Sequence, residues 1–364
     1  MLKLRRLTTG LMLSCLTFGL IVGCSLLTGS HSEISPASDL TTPDSSDCRM
    51  VQHDLGETQI CGQPKQVVTL SLHGLDLLLS LDVQPIATTM TLNVHRGKTF
   101  DKPAQQIPYL GDRLMGQPVN LGADNTPSIE TLVGLKPDLI IGERGRSGDE
   151  YETLSQIAPT ILWSRGTTEQ WQKSLRDLAT ALNLEDKAEQ VIQQQEQDIL
   201  ALRDELRGTV ATHPKLLLIG ASQLDQGFFI LDTGNSMGEL LQTIGFELVK
   251  LPAAFQSESA LVSLEMLPEL DEAETIIILG WNLDTSTGLD SKSLSAEVSM
   301  EDLLGVHQTK KIREDWHTNK ISQSLTASQE NRIYFATFYK WGGLSGPIGT
   351  ELVLEDLRQF FLGE

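Results

Sequence analysis

The chain is short of positive charge and of cysteine. Its 364 residues hold 28 Lys and Arg against 48 Asp and Glu, a formal net charge of −20. A field that negative excludes a nucleic-acid reader, because no basic stripe offsets it. The 4 cysteines are too few for a disulfide scaffold. Catalytic signatures are also missing. Gly343-Leu344-Ser345-Gly346 lacks the nucleophile-elbow spacing. No phosphate-cradling lysine loop and no Gly-x-Gly-x-x-Gly follow a strand. The 7 histidines are scattered, with no His-x-x-x-His pair or Cys-rich set, so a site made of several protein ligands to a metal ion is disfavoured. What remains is a chain 40% hydrophobic, which argues against disorder, and long enough for about two domains.

The few cations are unevenly placed. Lys3, Arg5 and Arg6 precede an uncharged run from Leu7 to Gly23. A basic start followed by an apolar stretch is the pattern of a secretory signal. With Gly10 and Gly19 inside it, the run is marginal as a membrane span. It ends Ile21-Val22-Gly23-Cys24, which resembles the lipobox of bacterial lipoproteins. That resemblance implies cleavage before Cys24 and a lipid on its sulfur; an uncleaved anchor and an ordinary signal peptide are the alternatives. The −20 thus divides into +3 on residues 1–23 and −23 on the rest. Residues 25–47, rich in Ser, Thr, Pro and Asp, read as a flexible tether. Cys48 and Cys61 are left, 13 positions apart in an exported chain. They invite a disulfide across a β-hairpin turning at Asp54-Leu55-Gly56, with two buried free thiols as the alternative.

Strand and helix patterns then alternate. Buried strands are expected over 66–71, 138–142 and 160–163, with helices over 74–81, 128–135 and 151–157. Residues 91–123 read as loop-rich. From Thr168 to Arg207 there is no Gly or Pro, and apolar residues recur at helical spacing, with a break expected near Asn183. Past Gly208 the alternation restarts, with strands over 215–220, 275–280 and 332–335 and helices over 235–244 and 347–362. Two similar α/β units therefore flank a long helical element. The boundaries expected are 1–23 for the signal, 24–47 for the tether and 48–166 for a first lobe. Residues 167–208 form the interlobe helix, and 209–364 a second lobe.

Gln66-Val-Val-Thr-Leu-Ser-Leu-His-Gly-Leu-Asp-Leu-Leu-Leu-Ser-Leu-Asp-Val-Gln-Pro, Pro127-Ser-Ile-Glu-Thr-Leu-Val-Gly-Leu-Lys-Pro-Asp-Leu-Ile-Ile-Gly142, Ile157-Ala-Pro-Thr160, and Trp341 followed by Gly346-Pro347 carry a resemblance. The chain resembles the substrate-binding lipoproteins of bacterial ABC importers for iron–siderophore complexes, which have cobalamin and haem binders as relatives. The resemblance implies two Rossmann-like lobes with parallel-rich sheets joined by one long helix, small hinge motion, and ligand in the cleft between them. It implies a monomer lipid-anchored at a bacterial membrane, facing the periplasm or the cell exterior, with no enzymatic activity. No cofactor is implied, because the iron is carried within the bound chelate. The partners implied are the ferric siderophore and the permease subunits. The family docks on its permease through one surface Glu from each lobe, and the matching positions are Glu130 and Glu265. Each follows a serine, Ser128 or Ser263, so helix capping favoured by the helix dipole is the alternative, compatible with docking.

A large ferric chelate needs cationic forks for its oxygens and aromatic faces for its body. In doubly wound sheets the ligand lies beyond the carboxyl ends of the strands. The candidates there are His73, Arg144, Arg146, Trp163, Trp281, Tyr339 and Trp341, with Arg113 in the loop-rich stretch. Ion pairs with Glu143, Asp149 and Glu150 are the alternative for the arginines, and core packing is the alternative for the aromatics. A cobalamin or haem binder of the same transporter type is the alternative for the whole chain, and an exported α/β hydrolase the distant one.

Overall fold

The computed structural model describes residues 47–90, 102–251, 261–282 and 299–363. The basic leader, the tether and Cys24 lie outside the described residues. The first element is a hairpin of β1 (Cys48–His53) and β2 (Gly56–Cys61), paired antiparallel from Cys48↔Cys61 to His53↔Gly56. Gly56 turns it at φ +135°, a region that suits glycine. Cys48 and Cys61 are disulfide-bonded, as their spacing invites. Val51 and Ile60 enter the core of the first lobe. The Arg49 guanidinium donates to the Thr180 and Ala181 carbonyls, which a helix end otherwise leaves open.

The first lobe runs β3 (Val67–Thr69), α1 (Leu72–Ser80), β4 (Ala87–Met90), α2 (Pro103–Gln106), β5 (Val119–Ala123), α3 (Ile129–Leu135), β6 (Leu139–Glu143), α4 (Arg144–Ser147), α5 (Tyr151–Ile157) and β7 (Thr160–Trp163). Its sheet has the order β5-β4-β3-β6-β7, all parallel. Strand β5 falls in the stretch that reads as loop. It is an edge strand that buries only Leu121, so its pattern carries little apolar signal.

Next come α6 (Thr168–Leu182), α7 (Glu185–Glu205) and α8 (Arg207–Thr212). A capping box of Thr167 and Gln170 opens α6, and Asn183 ends it in the left-handed region, at the expected break. Helix α7 has 21 residues, about 32 Å at 1.5 Å per residue. Ala188 and Ile192, near its start, belong to the first lobe's core. Leu202 near its end, with Leu206 just beyond, belongs to the second lobe's core.

The second lobe runs β8 (Lys215–Ala221), β9 (Phe229–Ile230), α9 (Ser236–Ile244), β10 (Glu247–Leu248), β11 (Thr275–Gly280), α10 (Met300–Thr318), α11 (Lys320–Ser324), α12 (Thr326–Gln329), β12 (Ile333–Thr337) and α13 (Pro347–Leu362). Its sheet has the order β10-β8-β11-β12, parallel, with β9 antiparallel against β8. Helix α10 is the element the sequence pattern conceals. Its inward face mixes Leu304, Ile312 and Trp316 with buried Gln308 and Thr309, which blunts the periodicity. A third cluster joins the lobes: Leu72, Leu75, Leu79 and Leu110 of the first meet Leu304, Tyr339, Leu344 and Ile348 of the second.

The disulfide closes a short loop at the edge of the first lobe. Replacing Cys48 and Cys61 together by Ser is expected to lower unfolding free energy by about 2–3 kcal/mol, as chain entropy predicts for such a loop. Urea denaturation of the oxidised protein and the double variant checks this; equal midpoints would contradict it.

Candidate functional site

In each lobe the connections diverge between two neighbouring strands, β3 and β6 in the first and β8 and β11 in the second. Such switch points open a crevice at the carboxyl ends of the strands. The two carboxyl edges meet. Arg165, just past β7, donates from Nη1 to the carbonyls of Gly342 at 2.6 Å and Gly343 at 3.3 Å, in the turn after β12. The Gly166 carbonyl accepts from Ser236 N–H, and Thr168 N–H donates to Glu239 at 2.7 Å.

The edge of the first lobe is a charge network. Glu143 ends β6 and is nearly buried, yet it sits 2.9 Å from Arg165 Nε and 3.6 Å from Arg146 Nε. Arg146 also reaches buried Asp124 at 2.7 Å. These two arginines are therefore compensated by acids of their own lobe, as a buried carboxylate requires. Arg144, the first residue of α4, is exposed, and its side chain has no ion pair or hydrogen bond among the described residues. Among the described residues of this edge, its charge is the available one. Arg165 is a further strand-end residue of this edge. Its signal was its position two residues beyond the end of a buried strand.

The edge of the second lobe is aromatic. Trp281 follows β11 directly, and its ring stacks on Phe338 with centroids 3.5 Å apart. Phe229 lies 5.6 Å from it and is 37% exposed. Gly220 permits this arrangement, since a Cβ there would come within 3.2 Å of the Trp281 ring. Phe229 lies on the two-residue β9, too short to carry a periodic signal in sequence.

Other candidates lie elsewhere. Arg113 does not reach the carboxyl edge. Its carbonyl accepts from Gln84, just before β4, and its guanidinium pairs with Glu351 at 2.9 Å, so it sits at the opposite, amino-terminal edge of the first sheet. Trp163 is buried among Leu175 and Leu178, with its Nε1 donating to Asp177 at 3.2 Å. Trp341 is wholly buried in the second lobe and donates to Asp356 at 2.7 Å. For Trp163 the alternation along β7 aims the ring at α6 rather than the cleft, and Trp341 packs against α13. His73 and Tyr339 lie in the seam between the lobes. His73 Nδ1 is 3.2 Å from Ser345 Oγ, and burial, with Arg165 nearby, pushes its pKa down to about 3. The imidazole is neutral at working pH. Tyr339 is buried, which raises its pKa, and its N–H donates to Gln308 at 2.9 Å.

Glu130 is exposed in the first turn of α3, where Ser128 caps by accepting from Thr131 N–H. Glu265 is exposed in the first turn of a 3-10 segment, Leu264–Leu270, that contains Pro268. The expected cap differs here: the Ser263 hydroxyl donates to the Glu265 carboxylate instead of accepting from the backbone. That bond holds the Glu265 pKa below its ordinary value. Among the described residues no helix is long and apolar enough to cross a membrane. Among them, too, no group of three or more His, Cys, Asp or Glu is placed to hold a metal ion.

The model of the periplasmic binding protein family matches residues 67–339. The chain is 28% identical over 362 residues to the Fe(3+)-citrate-binding protein YfmC of Bacillus subtilis, covering 98% of this chain and 96% of that one. It is 24% identical over 325 residues to the Fe(3+) dicitrate-binding periplasmic protein FecB of Escherichia coli, covering 85% of this chain and 89% of the other. Its fold is similar to that of Staphylococcus aureus SirA complexed with staphyloferrin B, with TM-score 0.66 and 22% identity, covering 86% of this chain and 98% of that one. The chain belongs to the periplasmic binding protein family.

Proposed function

We propose that the protein captures a ferric siderophore between its lobes and delivers it to the permease of an ABC importer, without catalysing a reaction. The observation that carries this reading is the meeting of an arginine-bearing edge with an aromatic edge, in a chain similar to an Fe(3+)-citrate-binding protein over nearly its full length. Arg144 supplies a fork for carboxylate or catecholate oxygens. Trp281, Phe338 and Phe229 supply a face for the chelate's body. The iron is cargo, held by the chelate's own oxygens. His73 is neutral and buried, so it serves the seam rather than the metal. Glu130 and Glu265 present one acid from each lobe to permease arginines. Cys24, lipidated after loss of residues 1–23, holds the protein at the membrane through the tether, which keeps it near the permease.

Titration of intrinsic tryptophan fluorescence with ferric citrate, a ferric catecholate, haem and cobalamin tests the ligand class. Saturable quenching by a ferric chelate is expected, and Arg144→Ala is expected to weaken that binding by about tenfold, the loss of one charge-assisted contact. Response to cobalamin alone would overturn the siderophore reading. In cells, Glu130→Ala combined with Glu265→Ala is expected to abolish uptake while the purified variant binds normally. Undiminished uptake would remove both residues from docking.

A further inference from the structure

The last helix of the second lobe begins without a cap of its own. Gly346 stands at its N-cap position and offers no side chain. The first turn is instead received by the other lobe. Asp76, buried on α1, accepts from Ile348 N–H at 3.0 Å through Oδ1 and from Gly349 N–H at 2.9 Å through Oδ2. Glycine at 346 is required, because a Cβ there would lie 2.6 Å from the carboxyl group. One turn earlier on α1, His73 meets Ser345, and Arg165 holds the carbonyls of Gly342 and Gly343. Residues 342–349 are thus gripped at three points by the first lobe. The same strap follows Phe338, which stacks on Trp281 at the aromatic edge.

We infer that Asp76 is a positioning residue: it caps α13 across the lobe boundary and so sets how close the aromatic edge of the second lobe stands to the first. Its carboxylate also makes that hold respond to pH. Among the described residues no charged side chain bonds to Asp76. The charged and titratable groups on the surrounding elements are engaged elsewhere. Glu351 pairs with Arg113, Asp356 with Lys340 and Glu143 with Arg165. On α6, Asp177 pairs with Lys173 and Arg176 with Glu189, and on α7 Lys187 pairs with Asp82. On α1 itself, His73 is neutral. Asp76 therefore sits among leucines, with helix N–H groups and the Ser80 hydroxyl, 3.3 Å from Oδ1, as its compensation. The helix N-terminus favours its charge and burial opposes it. Burial prevails, raising the pKa from 3.8 to about 6.

The sign follows by linkage. A sealed strap binds the proton more tightly than a lifted one in which Asp76 meets water, so acid favours the sealed state. The hold is fullest at low pH and weakens as pH rises toward 6, beyond which it is level. Between pH 5 and 7.5 the equilibrium for lifting is expected to rise about tenfold if the carboxylate becomes solvated.

Hydrogen exchange on the ligand-free full chain tests this, with protection of residues 346–352 corrected for intrinsic rates at pH 5 and 7.5. About a tenfold loss of protection on going to pH 7.5 is expected in the wild type, and a flat ratio in Asp76→Asn, which keeps one acceptor but no charge. An unchanged ratio in the wild type overturns the proposal, as does the same tenfold loss in the variant. The wild-type series stands even if the variant misfolds. Only the consequence for ligand rests on the siderophore reading. Affinity for ferric citrate, compared between wild type and Asp76→Asn, is expected to share the difference in pH dependence. A pH-dependent strap with no binding of ferric citrate or of a ferric catecholate would sink that reading and leave the latch intact. Ferric citrate binding whose pH dependence is identical in the two proteins would remove Asp76 from positioning the cleft.

Discussion

Everything in this molecule hangs on one helix with its ends in two different cores. Helix α7 buries Ala188 and Ile192 with the first sheet and Leu202 with the second. A helix satisfies its own backbone hydrogen bonds and bends only where something interrupts the ladder. It therefore fixes the spacing of the lobes far more firmly than an unstructured linker. The seam cluster of Leu72, Leu75, Leu344 and Ile348 adds a second attachment, and the bonds from Arg165 and Asp76 add a third. Two sheets so held present their carboxyl edges to one another. The cleft is a consequence of that arrangement.

Charge is the second constraint. A strongly acidic chain is a poor starting point for an anionic chelate, since the general field repels it. The structure handles its arginines unevenly. Arg146 and Arg165 are spent on Glu143 and Asp124, building the floor and the lobe contact. Arg144, two positions from Arg146, turns outward. The spacing of an Arg-Gly-Arg on a four-residue helix is enough to give its two cations opposite fates. The acidity of the rest of the surface suits the docking proposed for Glu130 and Glu265, which would meet a cationic partner.

Glycine and serine positions set the finer geometry. Gly346 makes room for Asp76, and Gly220 lets Trp281 lie across the end of β8. The two exposed glutamates follow serines that behave differently. Ser128 caps a regular helix, while Ser263 turns to Glu265 in a 3-10 segment that includes Pro268.

Much of the fold is legible in sequence, because period and burial are local properties. Val-Val-Thr after Gln66, Leu-Ile-Ile after Asp138 and Ile-Ile-Ile after Thr275 are continuous apolar runs that only doubly covered strands can use. The break at Asn183 and the hairpin clip were visible for the same reason. Strand β5 and helix α10 were not, since one sits at an edge and the other buries polar groups. For the site, the sequence by itself determined which residues stand at strand ends. Only the tertiary structure decided where they point: Arg113 to the far edge, Trp163 and Trp341 into cores, Trp281 to the rim, His73 and Tyr339 into the seam. It alone joined Asp76 to Gly346, 270 positions on. The physical reason is that secondary structure follows from neighbours in the chain. A side chain's partner across two lobes depends on how whole sheets and helices pack, which no local pattern encodes.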